Sequence, residues 1–370
     1  MVEVTKIGNK TLVMDGKILS LFRKGSLLRQ MYYGGYEDFD GANGGVWKKY
    51  IHIPITTVPL ENATYRIVID STDISIYNIV DGLKAKSSIA SEFWSLVRSD
   101  GFDIRAFDHL FNQLWFWVEY FDYDSQKAII VVNLPKNTRE LNIAFGNPQA
   151  LSSDYDDYTK VATVVVDDFE DGDTSDWVVD SEGSADNFYA DSVVKRFGNY
   201  SGHLKDSSSD ARERHYKQFS SLTEDFTIEF WLLAQYLGTT DVTYDKIILS
   251  LRDSSLTVGA YTPSVEVSPQ QFVYYDGGWK ALTDLTLNTW YKLKTNFRFS
   301  DQTYDVAVYD NEGNLLASAS NISFVNSVSE ISVFYIYSWL RVTCDINIDQ
   351  ILIYKITDPA TFDTPRIVEF

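Results

Sequence analysis

The chain reads as all-β: two β-sandwich domains in series, preceded by a short N-terminal arm. Three observations predict this. Apolar and polar residues alternate with period two, most cleanly in Tyr291-Lys292-Leu293-Lys294-Thr295-Asn296-Phe297-Arg298-Phe299, where one face is apolar and the other carries Lys292, Lys294, Asn296 and Arg298. Turn-forming residues recur at short intervals between such segments. Helical spacing shows only once, at Ile89, Phe93, Leu96 and Val97 after Ser87-Ser88, which predicts a single short helix.

The arm is expected over 1–46. Asn9 to Leu19 reads as two strands turned at Asp15-Gly16, and the stretch Tyr33 to Gly45 is glycine-rich and irregular in character. Leu27, Leu28, Met31, Tyr32 and Tyr33 favour ordering by a neighbour over a free arm, so 1–46 is a candidate assembly segment. The first domain is expected over 47–150, with strands at Tyr50–Thr56, Tyr65–Asp70, Leu114–Tyr120, Ala128–Leu134 and Leu141–Phe145. Residues 151–160, with Ser152-Ser153-Asp154 and Asp156-Asp157, read as a polar linker. A second sandwich follows over 161–356. The tail, 357–370, ends on Ile367-Val368-Glu369-Phe370, a segment able to pair with a sheet edge.

At 370 residues the chain can bury two ordinary cores. Its formal charge of −20 comes from acids spread along the whole length. Such a surface has no basic patch to release phosphate counterions, so nucleic acid is not an expected partner. Cys344 stands alone, so an intrachain disulfide is excluded. Met1 to Lys6 lacks the charged and then apolar regions of a leader, which suggests cytoplasmic synthesis and assembly. The longest apolar runs are of strand length, so membrane insertion is not expected.

Four strings in the first half form an ordered set: Trp47 to Thr56, Asp100 to Asp108, Trp117 to Asp122, and Leu141 to Pro148. On these, residues 47–150 resemble a domain of unknown function common in prokaryotic exported and surface proteins. The family's Tyr-Tyr-Gly-Asn run is here Ala144-Phe145-Gly146-Asn147. In the second half, Asp168 to Trp177, Phe226 to Trp231, Asn288 to Leu293 and Asn347 to Tyr354 resemble strands of the concanavalin-like and laminin-G-like jelly rolls. Carbohydrate-binding modules of similar shape belong with them. The resemblance implies jelly-roll architecture and no particular activity.

Catalytic patterns are absent from the sequence. Glycosidases hold two carboxylates at fixed separation, and the Glu-x-Asp-x-x-Glu string of concanavalin-like glucanases does not occur. His52, His109, His203 and His215 are scattered without metal-ligand spacing. The chain is therefore expected not to be an enzyme. For binding, Tyr335, Tyr337, Trp339 and Arg341 alternate onto one face, opposite Phe334, Ile336 and Leu340. Tyr274, Tyr275 and Trp279, around Asp276-Gly277-Gly278, would add a rim. Flat aromatic faces of this kind stack on sugar rings, but they equally serve a protein interface or a core. The acidic run around Asp168 suggests either a solvated turn or a structural calcium. The resemblance to sugar-binding jelly rolls implies a calcium joining the first strand to an acid on the last, by position Asp168 and Glu170 with Asp349.

These features together suggest a non-catalytic attachment protein on a virion surface, such as a spike, fibre or turret, meeting host glycan or protein and other copies of itself. The alternatives are a cellular surface or pilus-like subunit, and an accessory carbohydrate-binding module of a polysaccharide-degrading system.

Overall fold

The computed structural model describes residues 2–7, 10–15, 18–23, 26–32, 47–80, 82–110, 112–181, 187–207, 212–241, 245–357 and 360–369. The chain divides into two compact units, Met1–Val161 with Thr357–Phe370, and Ala162–Ile356. The glycine-rich stretch 33–45 lies outside the described residues, as do Gly16 of the expected turn and the side chains read as an assembly segment.

In the first unit, β1 (Val2–Ile7), β2 (Lys10–Asp15), β3 (Ile18–Arg23) and β4 (Ser26–Tyr32) form an antiparallel meander. β5 (Lys49–Thr57), β6 (Ala63–Ile69), β7 (Ile74–Asn78) and β8 (Leu83–Ser87) precede helix α1 (Ala90–Leu96). Then come β9 (Arg105–Phe107), β10 (Phe116–Asp122), β11 (Lys127–Leu134) and β12 (Glu140–Phe145). One sheet has the order β10-β11-β6-β7-β8, and another is built on β5-β12-β9. Alternation explains the packing: Ile51, Ile53, Ile67, Ile69, Ile130, Val132 and Ile143 are buried in one core, capped by Phe93 and Trp94 of α1.

The segment read as a linker is instead bonded into this unit. Tyr155 stacks on Trp115 with ring centroids 4.5 Å apart, and Phe116 and Asp157 exchange backbone bonds with Tyr155 and Phe116 across 3.0 and 2.8 Å. Its end coils into α2 (Tyr158–Val161). Its polar residues serve the backbone rather than a solvated connection: Asp156 Oδ1 accepts the Val118 N–H at 2.8 Å.

The second unit contains β13 (Val164–Asp167), β14 (Val178–Ser181), β15 (Asn187–Asp191), β16 (Ser201–Asp206), β17 (Arg214–Leu222), β18 (Phe226–Thr239) and β19 (Lys246–Arg252). It continues through β20 (Val258–Tyr261), β21 (Ser264–Glu266), β22 (Gln271–Tyr275), β23 (Trp279–Asp284), β24 (Trp290–Arg298), β25 (Thr303–Tyr309), β26 (Leu315–Ser323), β27 (Ile331–Ser338) and β28 (Val342–Lys355). Two sheets result. The first runs β15-β16-β28-β18-β24-β25-β26, with β13 also on β28; the second runs β14-β17-β27-β19-β21-β22-β23, with β20 also on β19.

Their inner faces form one core, in which Phe226, Ile228, Phe230 and Leu232 of β18 meet Phe334 and Ile336 of β27. Each such side chain contributes about 1.5–3 kcal/mol on burial, so packing alone can hold the unit. Cys344, the single cysteine of the chain, is buried within it. On β28 the inward parity switches from Ile346 and Ile348 to Ile351 and Ile353. A bulge causes this: Gln350 has φ +47°, and the register with β18 shifts between Glu229 and Trp231.

The tail then returns to the first unit. β29 (Thr361–Phe362) and β30 (Arg366–Glu369) both pair antiparallel with β5, with Arg366 opposite His52 and Glu369 opposite Lys49. Phe362 lies edge-on to Tyr65 at 4.9 Å, and the Tyr65 hydroxyl accepts the Ala360 N–H at 2.6 Å.

Candidate functional site

The outer face of the second sheet gathers an aromatic and cationic cleft. Strand pairing dictates it, because residues directly opposite on antiparallel strands share a face. Tyr335 of β27 stands between Tyr216 of β17 and Ser250 of β19, while Tyr337 stands opposite Arg214. Tyr216 and Tyr335 stack with centroids 5.7 Å apart and planes 9° from parallel. Tyr337 meets Tyr335 edge-on at 5.6 Å. The Arg252 guanidinium lies 3.7 Å from the centroid of Tyr335, and its Nε donates to Ser250 Oγ at 3.0 Å.

Tyr335, Tyr337, Arg214 and Arg252, with Asp180, Arg212 and Trp339, line a cleft of about 310 Å³. That is the lower end of the size range of small-molecule sites. The Tyr335 hydroxyl donates a short bond to Asp180 Oδ2, and Arg214 Nη1 is 3.8 Å from the same oxygen. Burial, and then the neighbouring Asp180 carboxylate, push the Tyr335 phenol well above its ordinary value. Tyr335 therefore stays neutral and keeps its proton for Asp180. Burial draws Arg252 down from its ordinary value, opposed by the surrounding tyrosines. An arginine so lowered still carries its charge.

Of the expected binding residues, Tyr335, Tyr337 and Trp339 come together in this cleft. Arg341 does not join them. β27 ends at Ser338, a turn closes from Val342 N–H to Trp339 O, and Arg341 takes φ +74° within it. Strand alternation no longer applies there, and the guanidinium pairs with Asp241 at 3.2 Å. Tyr275 and Trp279 form a second aromatic cluster with Tyr261, at centroid distances of 5.1–5.4 Å. Tyr261 is paired with Ser250, which is paired in turn with Tyr335, so this cluster adjoins the cleft; burial raises the Tyr261 phenol to about 12. Tyr274 instead packs against the core, as alternation with Tyr275 requires.

Arg212, Arg214, Arg252, Asp180 and Tyr216 were not read from sequence. The local pattern Arg214-His215-Tyr216 carried a period-two signal, but only the register of three strands shows that it faces Tyr335 and Tyr337.

The expected calcium residues are only partly assembled. Both oxygens of Glu170 accept the Asn199 N–H, at 2.8 and 2.9 Å, and Oε1 also accepts that of Tyr200 at 3.0 Å. Gly198 in the same loop has φ +56°, and a Cβ there would lie 2.2 Å from Glu170 Oε1, so this approach requires glycine. Asp349 Oδ2 accepts the N–H groups of Arg196 and Phe197 at 2.7 and 3.0 Å, while its Oδ1 is buried without a hydrogen-bond partner. Burial, with help from the Glu170 charge, pushes the Asp349 carboxyl up to about 7. A buried carboxylate oxygen without a partner is a donor of the kind a hard cation takes. Asp168, the expected third ligand, accepts the Glu170 N–H at 3.1 Å. Among the described residues no three His, Cys, Asp or Glu side chains group as metal ligands.

The motif residues of the first unit act structurally. Asp103 is fully buried and accepts N–H groups from Arg98, Gly146 and Asn147 at 3.0, 2.7 and 3.1 Å. Arg105, also fully buried, donates to the carbonyls of Phe102, Ile104 and Leu151, and its guanidinium lies 5.4 Å from the Trp47 ring. These bonds tie the Asp100–Asp108 and Leu141–Pro148 strings to each other, leaving neither group free for chemistry.

Residues 100–180 match the family model of a "Domain of unknown function (DUF2341)". The match takes in the last three of the four strings and runs on to Asp180; Trp47–Thr56 precedes it. No curated protein matches the sequence. Among solved structures, a "Sialidase" matches at 10% identity and TM-score 0.37, covering 94% of this chain but only 31% of the sialidase. "Cellulose induced protein, Cip1" matches at 14% identity and TM-score 0.37, over 51% of this chain and 96% of that one. Carbohydrate binding module CBM66 from Bacillus subtilis matches at 15% identity and TM-score 0.29, over 49% and 96%. No helix among the described residues is long and apolar enough to cross a membrane.

Proposed function

We propose that the second unit is a non-catalytic carbohydrate-binding module, working outside the cell or at a surface, which takes a sugar in the Tyr335–Tyr337–Trp339 cleft. One observation carries the reading: aromatic faces and hydrogen-bonding charged groups converge in a single cleft on the outer face of the second sheet. Sugar rings need this pairing, since their C–H faces stack on aromatics while their hydroxyls bond polar groups.

A glycan array with the full chain, followed by calorimetry on the best ligand, tests the proposal. Tyr337→Ala and Trp339→Ala are each expected to lower affinity about tenfold, near 1.4 kcal/mol. Silence across the array, or unchanged affinity in both variants, overturns it.

The setting favoured is an accessory module of a polysaccharide-degrading system. The virion surface expected from the sequence finds no specific support in the fold or the cleft. Light scattering separates the two, because an accessory module is expected to be monomeric whereas a virion or pilus-like subunit assembles. A calcium ion held by Asp349 and Glu170 is part of the same proposal: added calcium should raise the melting temperature, and Asp349→Asn should abolish that rise.

A further inference from the structure

We propose that the cleft selects an acidic saccharide, one whose carboxylate or sulfate docks among Arg212, Arg214 and Arg252 while its ring lies against Tyr337 and Trp339. This rests on the carbohydrate-binding reading and names the class of sugar. The chain carries a net charge of −20, yet among the described residues three guanidinium groups line this one cleft against a single carboxylate, Asp180. That carboxylate is already engaged by the Tyr335 hydroxyl.

Two cations elsewhere in the second unit are closely paired. Arg298 forms a fork on Asp305 at 2.5 and 2.9 Å, and Lys246 sits between Asp245 and Glu266 at 2.8 and 2.7 Å. In the cleft the pattern differs. Arg214 comes no nearer than 3.8 Å to Asp180 in its ion pair, and its Nε is buried without a hydrogen-bond partner. Arg252 is held by Ser250 and the Tyr335 ring, neither of which neutralises it. Partly buried guanidinium groups lacking a full counter-charge are costly, and a planar or tetrahedral oxyanion satisfies their forked donors. A strongly acidic protein repels polyanions in general, so binding of one must come from a local patch.

Affinity electrophoresis of the full chain through gels containing polygalacturonate, heparin or neutral galactan tests the proposal. At least one acidic polymer should retard the chain at tenfold lower concentration than galactan. Retention should weaken as salt rises, because the contact is ionic. Arg214→Gln and Arg252→Gln should each reduce acidic binding about tenfold and reduce any galactan binding much less, with melting curves confirming that the variants fold. Retardation by heparin alone assigns the anion as sulfate, and by polygalacturonate as carboxylate; either supports the proposal. Equal retardation by galactan, or arginine variants that bind acidic polymer normally, overturns it while carbohydrate binding stands. If no polymer is retained and the glycan array is also silent, both proposals fail.

Discussion

His215 sits on β17 between Arg214 of the cleft and Tyr216, which stacks on Tyr335, but points the other way and is only 2% exposed. Its Nε2 is 3.2 Å from Glu213 Oε2, and a neutral ring can donate one N–H there. Burial pushes the imidazole from 6.5 down to about 4. Between those values the unfolded chain binds a proton that the native chain does not. Stability from this group is therefore complete above pH 6.5 and is lost as pH falls through 4. The contribution is on the order of 3 kcal/mol. Urea unfolding at several pH values should show His215→Gln losing less stability than the native chain between pH 6.5 and 4; parallel losses would exclude the effect. Tyr335 and Tyr337 are legible from local alternation. Arg214, Tyr216 and Arg252 are not, because they become their neighbours only through the pairing of β17 and β19 with β27, far apart in the chain.

At the scale of elements, strands with strong apolar alternation were legible to within a few residues, as was the helix at Ala90–Leu96. Short or polar strands were not. β8 reads Leu83-Lys84-Ala85-Lys86-Ser87 and lies at a sheet edge, where lysines are favoured and the apolar signal fades. β9 is only three residues long, and its Arg105 is buried for backbone bonding rather than for apolar contact. The tail strands carry a prediction of their own. Phe362 packs on Tyr65 in the core of the first unit, and its strand pairs with β5. Phe362→Ala should destabilise that unit by about 3 kcal/mol, the lower end for a buried phenylalanine. Denaturation followed by hydrogen exchange should locate the loss in β5 and β6, with the second unit unaffected. An unchanged first unit would mean that the tail contributes little there.

For the whole molecule, the second unit is an insertion. The chain leaves the first unit at Val161 and rejoins it at Thr357. Its entry and exit are neighbours, because β13 pairs antiparallel with the end of β28: the Thr163 N–H donates to Ile353 O at 2.7 Å, and the Lys355 N–H to Thr163 Oγ1 at 2.8 Å. An insertion with adjacent ends can be excised without cutting its core, whereas the host unit loses two strands if the chain is cut after Val161. A fragment of residues 162–356 should therefore unfold in one cooperative transition, at the midpoint its unit shows in the full chain. A fragment of residues 1–161 leaves β5 without β29 and β30, exposing Tyr65 where Phe362 had covered it. It should melt well below the first unit of the full chain, and a peptide of residues 357–370 added in excess should restore much of the difference by mass action. A 1–161 fragment as stable alone as in the intact chain would show that the returning strands decorate the first unit without holding it together.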